Sequence, residues 1–139
     1  MPSDSPPPDP RPPRRILFAT DTSGHSMGYH VVARALRDAG FEVIMTGRQL
    51  PNEAIAAASQ EDADLIALRT MDRDPVVVGQ ALLDARHREG LDDRPVLMGG
   101  IINRKEAETL REAGVAGVFG PGSKLEDIIA CARSSLPQD

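Results

Sequence analysis

The stretch Asp21-Thr22-Ser23-Gly24-His25-Ser26-Met27-Gly28 puts one imidazole among small and hydroxyl-bearing residues, between an apolar run and a helical pattern. A hydroxyl-rich loop leading into a helix N-terminus is a natural seat for an anion, because the first N–H groups of a helix have no partner within it. A phosphate or a flavin mononucleotide is the ligand this suggests. Ser26 can cap the helix that follows, and Asp21 can position the loop or close its turn; His25 is then a loop histidine with no further duty. Two glycine-rich stretches, Gly99-Gly100 and Gly120-Pro121-Gly122-Ser123, also follow apolar runs. Missing side chains there either serve the turns or let a large planar ligand approach the backbone. No catalytic triad, P-loop lysine pattern or cysteine-ligand cluster is visible, and Lys124 stands outside a GK[ST] frame. His30 and His87 lie in helical patterns with no second ligand at metal spacing and read as solvated surface.

These loops are placed by a strict alternation. Apolar runs at 15–20, 41–46, 64–68, 94–98 and 116–120, rich in Val, Ile, Leu or Phe, predict five strands. Helical patterns occupy 27–39, 52–61, 75–89, 104–113 and 125–135, with Gly40, Gly90 and Gly114 just past helix ends and Pro51 and Pro75 near helix starts. Nearly continuous apolar strands alternating with helices imply a parallel sheet covered on both faces. The expected class is α/β, a flavodoxin-like, Rossmann-like three-layer sandwich with strand order 2-1-3-4-5. Its ligand crevice then opens at the carboxyl ends of strands 1 and 3. That puts the His25 loop beside Arg69-Thr70-Met71-Asp72-Arg73-Asp74, with both glycine loops on the same edge.

With 139 residues the chain suits one domain with a real core. Seven of its twelve prolines fall within the first thirteen residues, so residues 1–14 read as a disordered, proline-rich tail and 15–136 as the domain. A net charge of -5 argues against a generic basic surface for nucleic acid or anionic membrane. Three Phe and one Tyr are too few for a base-stacking platform. No apolar stretch reaches the roughly 18 residues of a membrane span, so a cytoplasmic location is expected. The single cysteine, Cys131, reads as a buried, inert thiol in a late helix.

Residues 15 to 135 resemble the cobalamin-binding domain of methylmalonyl-CoA mutase and its relatives, including the separate small subunits of acyl-CoA mutases. The resemblance runs through 31–47, 60–68, 96–102 and 114–123, and the family signature Asp-x-His-x-x-Gly falls on Ser23-Gly24-His25-Ser26-Met27-Gly28. It implies a cobalamin cofactor, in the adenosyl form, with His25 as the lower axial ligand of cobalt in place of the cofactor's own dimethylbenzimidazole. Imidazole suits that place because one nitrogen binds a borderline metal while an acceptor holds the other N–H. The displaced nucleotide tail is implied to enter a crevice lined by Gly99, Gly100, Gly120, Gly122 and Ser123, with Ser23, Gly24, Ser26, Gly28, Arg69 and Thr70 also at the cofactor. The implied role is a small subunit or carrier of an isomerase that rearranges acyl-CoA carbon skeletons. It is inactive alone and needs a larger mutase subunit carrying the acyl-CoA site.

Two positions depart from the family pattern. Ser23 replaces the aspartate that orients the histidine; its hydroxyl can accept a hydrogen bond but adds no negative charge. Arg69 stands where the family carries the serine of Ser-x-Leu after strand 3. A permanent charge there must reach solvent, pair with Asp72 or Asp74, or enter the tail crevice. If it obstructs the crevice, Arg69→Ser should tighten binding. The alternative reading is a family member that keeps the fold, no longer binds cobalamin and serves as an interaction or regulatory module.

Overall fold

A computed structural model describes residues 12–23 and 27–137. The elements run β1 (Arg15–Thr20), α1 (Met27–Asp38), β2 (Glu42–Arg48), α2 (Pro51–Gln60), β3 (Leu65–Thr70), α3 (Pro75–Arg88), β4 (Val96–Gly100), α4 (Arg104–Ala113), β5 (Gly117–Phe119) and α5 (Leu125–Ser135). All neighbouring strands are parallel, and the sheet order is β2-β1-β3-β4-β5, as the alternation predicts. No helix among the described residues is long and apolar enough to cross a membrane.

Side chains alternate across each strand, so every strand feeds two cores. Leu17, Ile66, Leu68, Val96, Met98 and Val118 pack with α2, α3 and α4, through Ile55, Leu82 and Leu110 among others. Ile16, Phe18, Leu65, Ala67 and Leu97 face α1 and α5, meeting Tyr29, Ala33 and Leu36 on one helix and Ala132 on the other. Both strand faces are buried, which is why the strands read as nearly unbroken apolar runs.

Local chemistry sets the helix ends. Asp74 caps α3, its carboxylate accepting from the N–H of Val76 at 2.9 Å and of Val77 at 3.4 Å, and Pro75 fills the first helical position. Asn103 and Glu106 cap α4 reciprocally: the Glu106 N–H donates to Asn103 Oδ1 at 2.8 Å and the Asn103 N–H to Glu106 Oε1 at 3.0 Å. Gly114 closes α4 at φ 119°, a left-handed conformation that costs glycine little. Cys131 is half-buried rather than sealed in the core, its Sγ 3.9 Å from the Ala116 carbonyl oxygen.

Candidate functional site

The carboxyl ends of β1 and β3 are joined by backbone and by one side chain. The Asp21 N–H donates to the Arg69 carbonyl at 3.1 Å. The Asp21 carboxylate, only 6% exposed, accepts from the Thr70 hydroxyl at 2.6 Å and from the N–H groups of Met71 at 2.8 Å and Asp72 at 3.4 Å. Its sequence reading left two roles open, positioning the His25 loop or closing a turn. It clips the β1 loop to the β3 loop. Thr70 is 1% exposed and spends its hydroxyl on that clip.

On the far side of the β1 loop, α1 is anchored by Tyr29. Its hydroxyl donates to the Phe18 carbonyl and accepts from the Gly47 N–H at 3.0 Å, and its ring lies 4.6 Å from that of Phe18, centroid to centroid. Burial pushes the phenol above its ordinary value of 10.0, while the backbone contacts of Gly47 and Thr46 and the charge of Arg37 pull the other way. The loop is thus held at both ends. Ser23 is exposed at the end of the first described segment, and Gly24, His25 and Ser26 lie outside the described residues.

Between the sheet and the pair α1 and α5 lies a cavity of about 430 Å³, open at the carboxyl edge. It is walled by Ile16, Phe18, Leu65, Ala67 and Leu97 from the strands and by Val32, Leu36 and Ile128 from the helices. Its mouth carries Gly28, Arg69, Gly99, Gly100, Gly120, Gly122 and Ser123. Seven residues singled out from sequence therefore share one opening, while Thr70 turns away to Asp21. The walls were not singled out, although a signal existed: Ile16 and Phe18, Leu65 and Ala67, Leu97 and Gly99 are alternate positions of one sheet face.

The glycines of the mouth are set first by their own neighbours. A methyl group on Gly99 would stand 3.3 Å from the Phe119 carbonyl oxygen, and one on Gly120 would stand 2.7 Å from that of Ile102. At Gly100, φ is 122° and a methyl group would collide with the Thr70 carbonyl. Gly122, at φ 83°, meets nothing within 4 Å and serves its turn. Ser123 donates to the Gly120 carbonyl at 2.8 Å, closing the β5 loop.

An apolar slot of this volume falls in the range of roughly 300–1,000 Å³ typical of small-molecule sites. Its lining is apolar apart from Arg69 and Ser123 at the mouth. The model of the B12 binding domain matches residues 14–130.

The chain belongs to the B12-binding domain family.

This B12-binding domain is 37% identical over 126 residues to the pivalyl-CoA mutase small subunit of Xanthobacter autotrophicus, covering 89% of this chain and 84% of that protein. It is 33% identical over 127 residues to the 2-hydroxyisobutanoyl-CoA mutase small subunit of Aquincola tertiaricarbonis, covering 91% and 93%. Against methylmalonyl-CoA mutase of Cereibacter sphaeroides identity is 30%, over 89% of this chain but only 19% of that protein. Among solved structures, a cobalamin-binding protein from Desulfitobacterium hafniense superposes with a TM-score of 0.73 at 16% identity, covering 89% of this chain and 59% of that one. The chemotaxis protein CheY4 of Vibrio cholerae gives 0.68 at 19% identity, covering 89% and 99%. Both structural likenesses speak for the fold alone.

Proposed function

We propose that this B12-binding domain is the cobalamin-carrying small subunit of an adenosylcobalamin-dependent acyl-CoA mutase, working in the cytoplasm with a larger subunit that holds the acyl-CoA. The observation that carries the reading is the apolar cavity beside α1 and α5, opening at the carboxyl edge where the His25 loop leaves β1. Support comes also from the length match to two mutase small subunits, 84% and 93% of which this chain spans.

In this reading the chain binds and orients. His25 would hold the cobalt through one ring nitrogen, Ser23 would accept a hydrogen bond from the imidazole's other N–H, and the cavity would shelter the base of the nucleotide tail from water. Phe18, Ala67 and Leu97 offer apolar contact to a ring, and the Gly99-Gly100 and Gly120-Pro121-Gly122 turns let the tail lie along the backbone. When bound, the cofactor supplies the radical chemistry of the carbon-skeleton rearrangement. No side chain of this chain is assigned a catalytic proton transfer, so turnover requires the large subunit.

The test is a titration of the purified protein with adenosylcobalamin and hydroxocobalamin, followed by gel filtration. Co-elution of cofactor with a base-off spectrum, and mutase turnover on adding a large subunit of this family, are expected. No retention at high cofactor excess, with and without the large subunit, would overturn the reading.

A further inference from the structure

We infer that Arg69 holds the phosphate of the cofactor's nucleotide tail, an assignment that rests on the cobalamin reading above. Among the described residues lining the cavity, Arg69 carries the only charge. It follows Leu65 and Ala67 on the same face of β3, so its side chain leaves the strand on the cavity side. The guanidinium then lies over Gly28 in the first turn of α1: a methyl group on Gly28 would stand 3.0 Å from Nη2. Arg69 thus crosses the mouth from β3 to α1, at the carboxyl edge through which a tail must pass.

The chemistry of the opening is an apolar slot with one cation at its rim. That matches a neutral aromatic base tethered to an anion. The nucleotide tail of cobalamin has that form, a benzimidazole and a ribose joined to the corrin side chain through a phosphodiester. A guanidinium stays charged across the physiological range and grips phosphate oxygens in pairs. The serine that the family pattern carries at this place offers one short hydroxyl for the base. Arginine reaches from the same Cα to the rim, where the phosphodiester would lie when the base is seated inside.

Affinities for hydroxocobalamin, and for cobinamide, which lacks the nucleotide, are to be measured by absorbance for the full chain and for Arg69→Lys, Arg69→Gln and Arg69→Ser. Gln keeps a hydrogen-bond donor without the charge; Lys keeps the charge. The expected result is cobalamin binding weakened about 10-fold or more by Gln and Ser, the scale of a lost hydrogen bond to a charged group. Lys, which keeps the charge but not the paired donors, should fall between the native chain and Gln, and cobinamide affinity should be the same in all four proteins. Equal losses for Lys and Gln with cobinamide unaffected would support a paired, guanidinium-specific contact. Cobalamin binding unchanged by Gln, or tighter in the Ser variant, would overturn the assignment while leaving the cobalamin reading intact, as would an equal loss for cobinamide. A native chain that binds neither compound would overturn both.

Discussion

The Thr70 hydroxyl donates a 2.6 Å hydrogen bond to the buried Asp21 carboxylate, joining residues 49 apart in the chain. Two further donors, the N–H groups of Met71 and Asp72, converge on the same carboxylate. Asp21→Asn keeps an acceptor for Met71 but turns an amide NH2 toward the hydroxyl and the Asp72 N–H. It should destabilise the domain by about 1–3 kcal/mol. Thr70→Val should cost less, and a double-mutant cycle in urea should return a coupling of about 1 kcal/mol.

Gly100 and Gly122 both have positive φ on the same edge, yet their substitutions should differ. Gly100→Ala combines backbone strain with a collision against the Thr70 carbonyl, and should cost about 3 kcal/mol or more. At Gly122 there is open space within 4 Å, so Gly122→Ala should cost only the strain, about 1 kcal/mol. Chemical denaturation of the two variants separates packing from conformational preference.

His25→Ala should abolish a nitrogen-ligated cobalt spectrum while leaving the far-ultraviolet circular dichroism unchanged. Electron paramagnetic resonance of the reduced cob(II)alamin form reads the axial nitrogen directly. A variant spectrum identical to the native one would remove His25 from the cobalt.

The Tyr29 phenol, raised by burial, gives the domain an alkaline sensitivity. The unfolded chain releases this proton near the ordinary value of 10.0, before the folded chain does. The stabilisation is therefore whole below pH 10 and is lost as pH rises through that value toward the higher folded one. Tyr29→Phe should cost about 1 kcal/mol at neutral pH, through its two hydrogen bonds. It should also lose less melting temperature than the native chain between about pH 9 and about pH 11.

Ala67 is a small residue on the β3 face of the cavity. Ala67→Leu extends about three heavy atoms into that space, and should block cofactor retention while changing the melting temperature by no more than about 4 °C, the equivalent of about 1 kcal/mol. Gel filtration with hydroxocobalamin alongside a thermal melt checks both halves of the expectation.

The alternation of apolar runs and helical patterns carried nearly all of the topology, and the strand ends are where it fell short. Predicted at 64–68 and 94–98, β3 and β4 instead reach Thr70 and Gly100. The ladder continues through Arg69 opposite Gly99 and Thr70 opposite Gly100, because strand pairing is made by backbone and does not need apolar side chains. β2 likewise runs on to Arg48, past an irregular register in which Phe18 pairs Met45 and Ala19 pairs Gly47. At the site, the glycine loops and Arg69 could be placed on one edge from order alone. The cavity could not: it is lined by residues from strands and helices far apart in the chain, the small Ala67, Gly99 and Ala132 among them, and a linear pattern does not reveal who faces whom. The second duty of the glycines was also hidden, since it needs the carbonyls of Phe119, Thr70 and Ile102 in space.

Those carbonyls divide the rim into parts with unequal freedom to diverge. After β4 and β5, a side chain at Gly100 or Gly120 is refused by the main chain itself, and no second substitution can move a carbonyl out of the way cheaply. After β1 and β3 the closure is a side-chain clip, Asp21 with Thr70, which a paired replacement could rewrite. Both departures from the family pattern, Ser23 and Arg69, fall at the ends of β1 and β3. Lineages of this fold should therefore vary in ligand preference through one half of the opening while inheriting the other half unchanged.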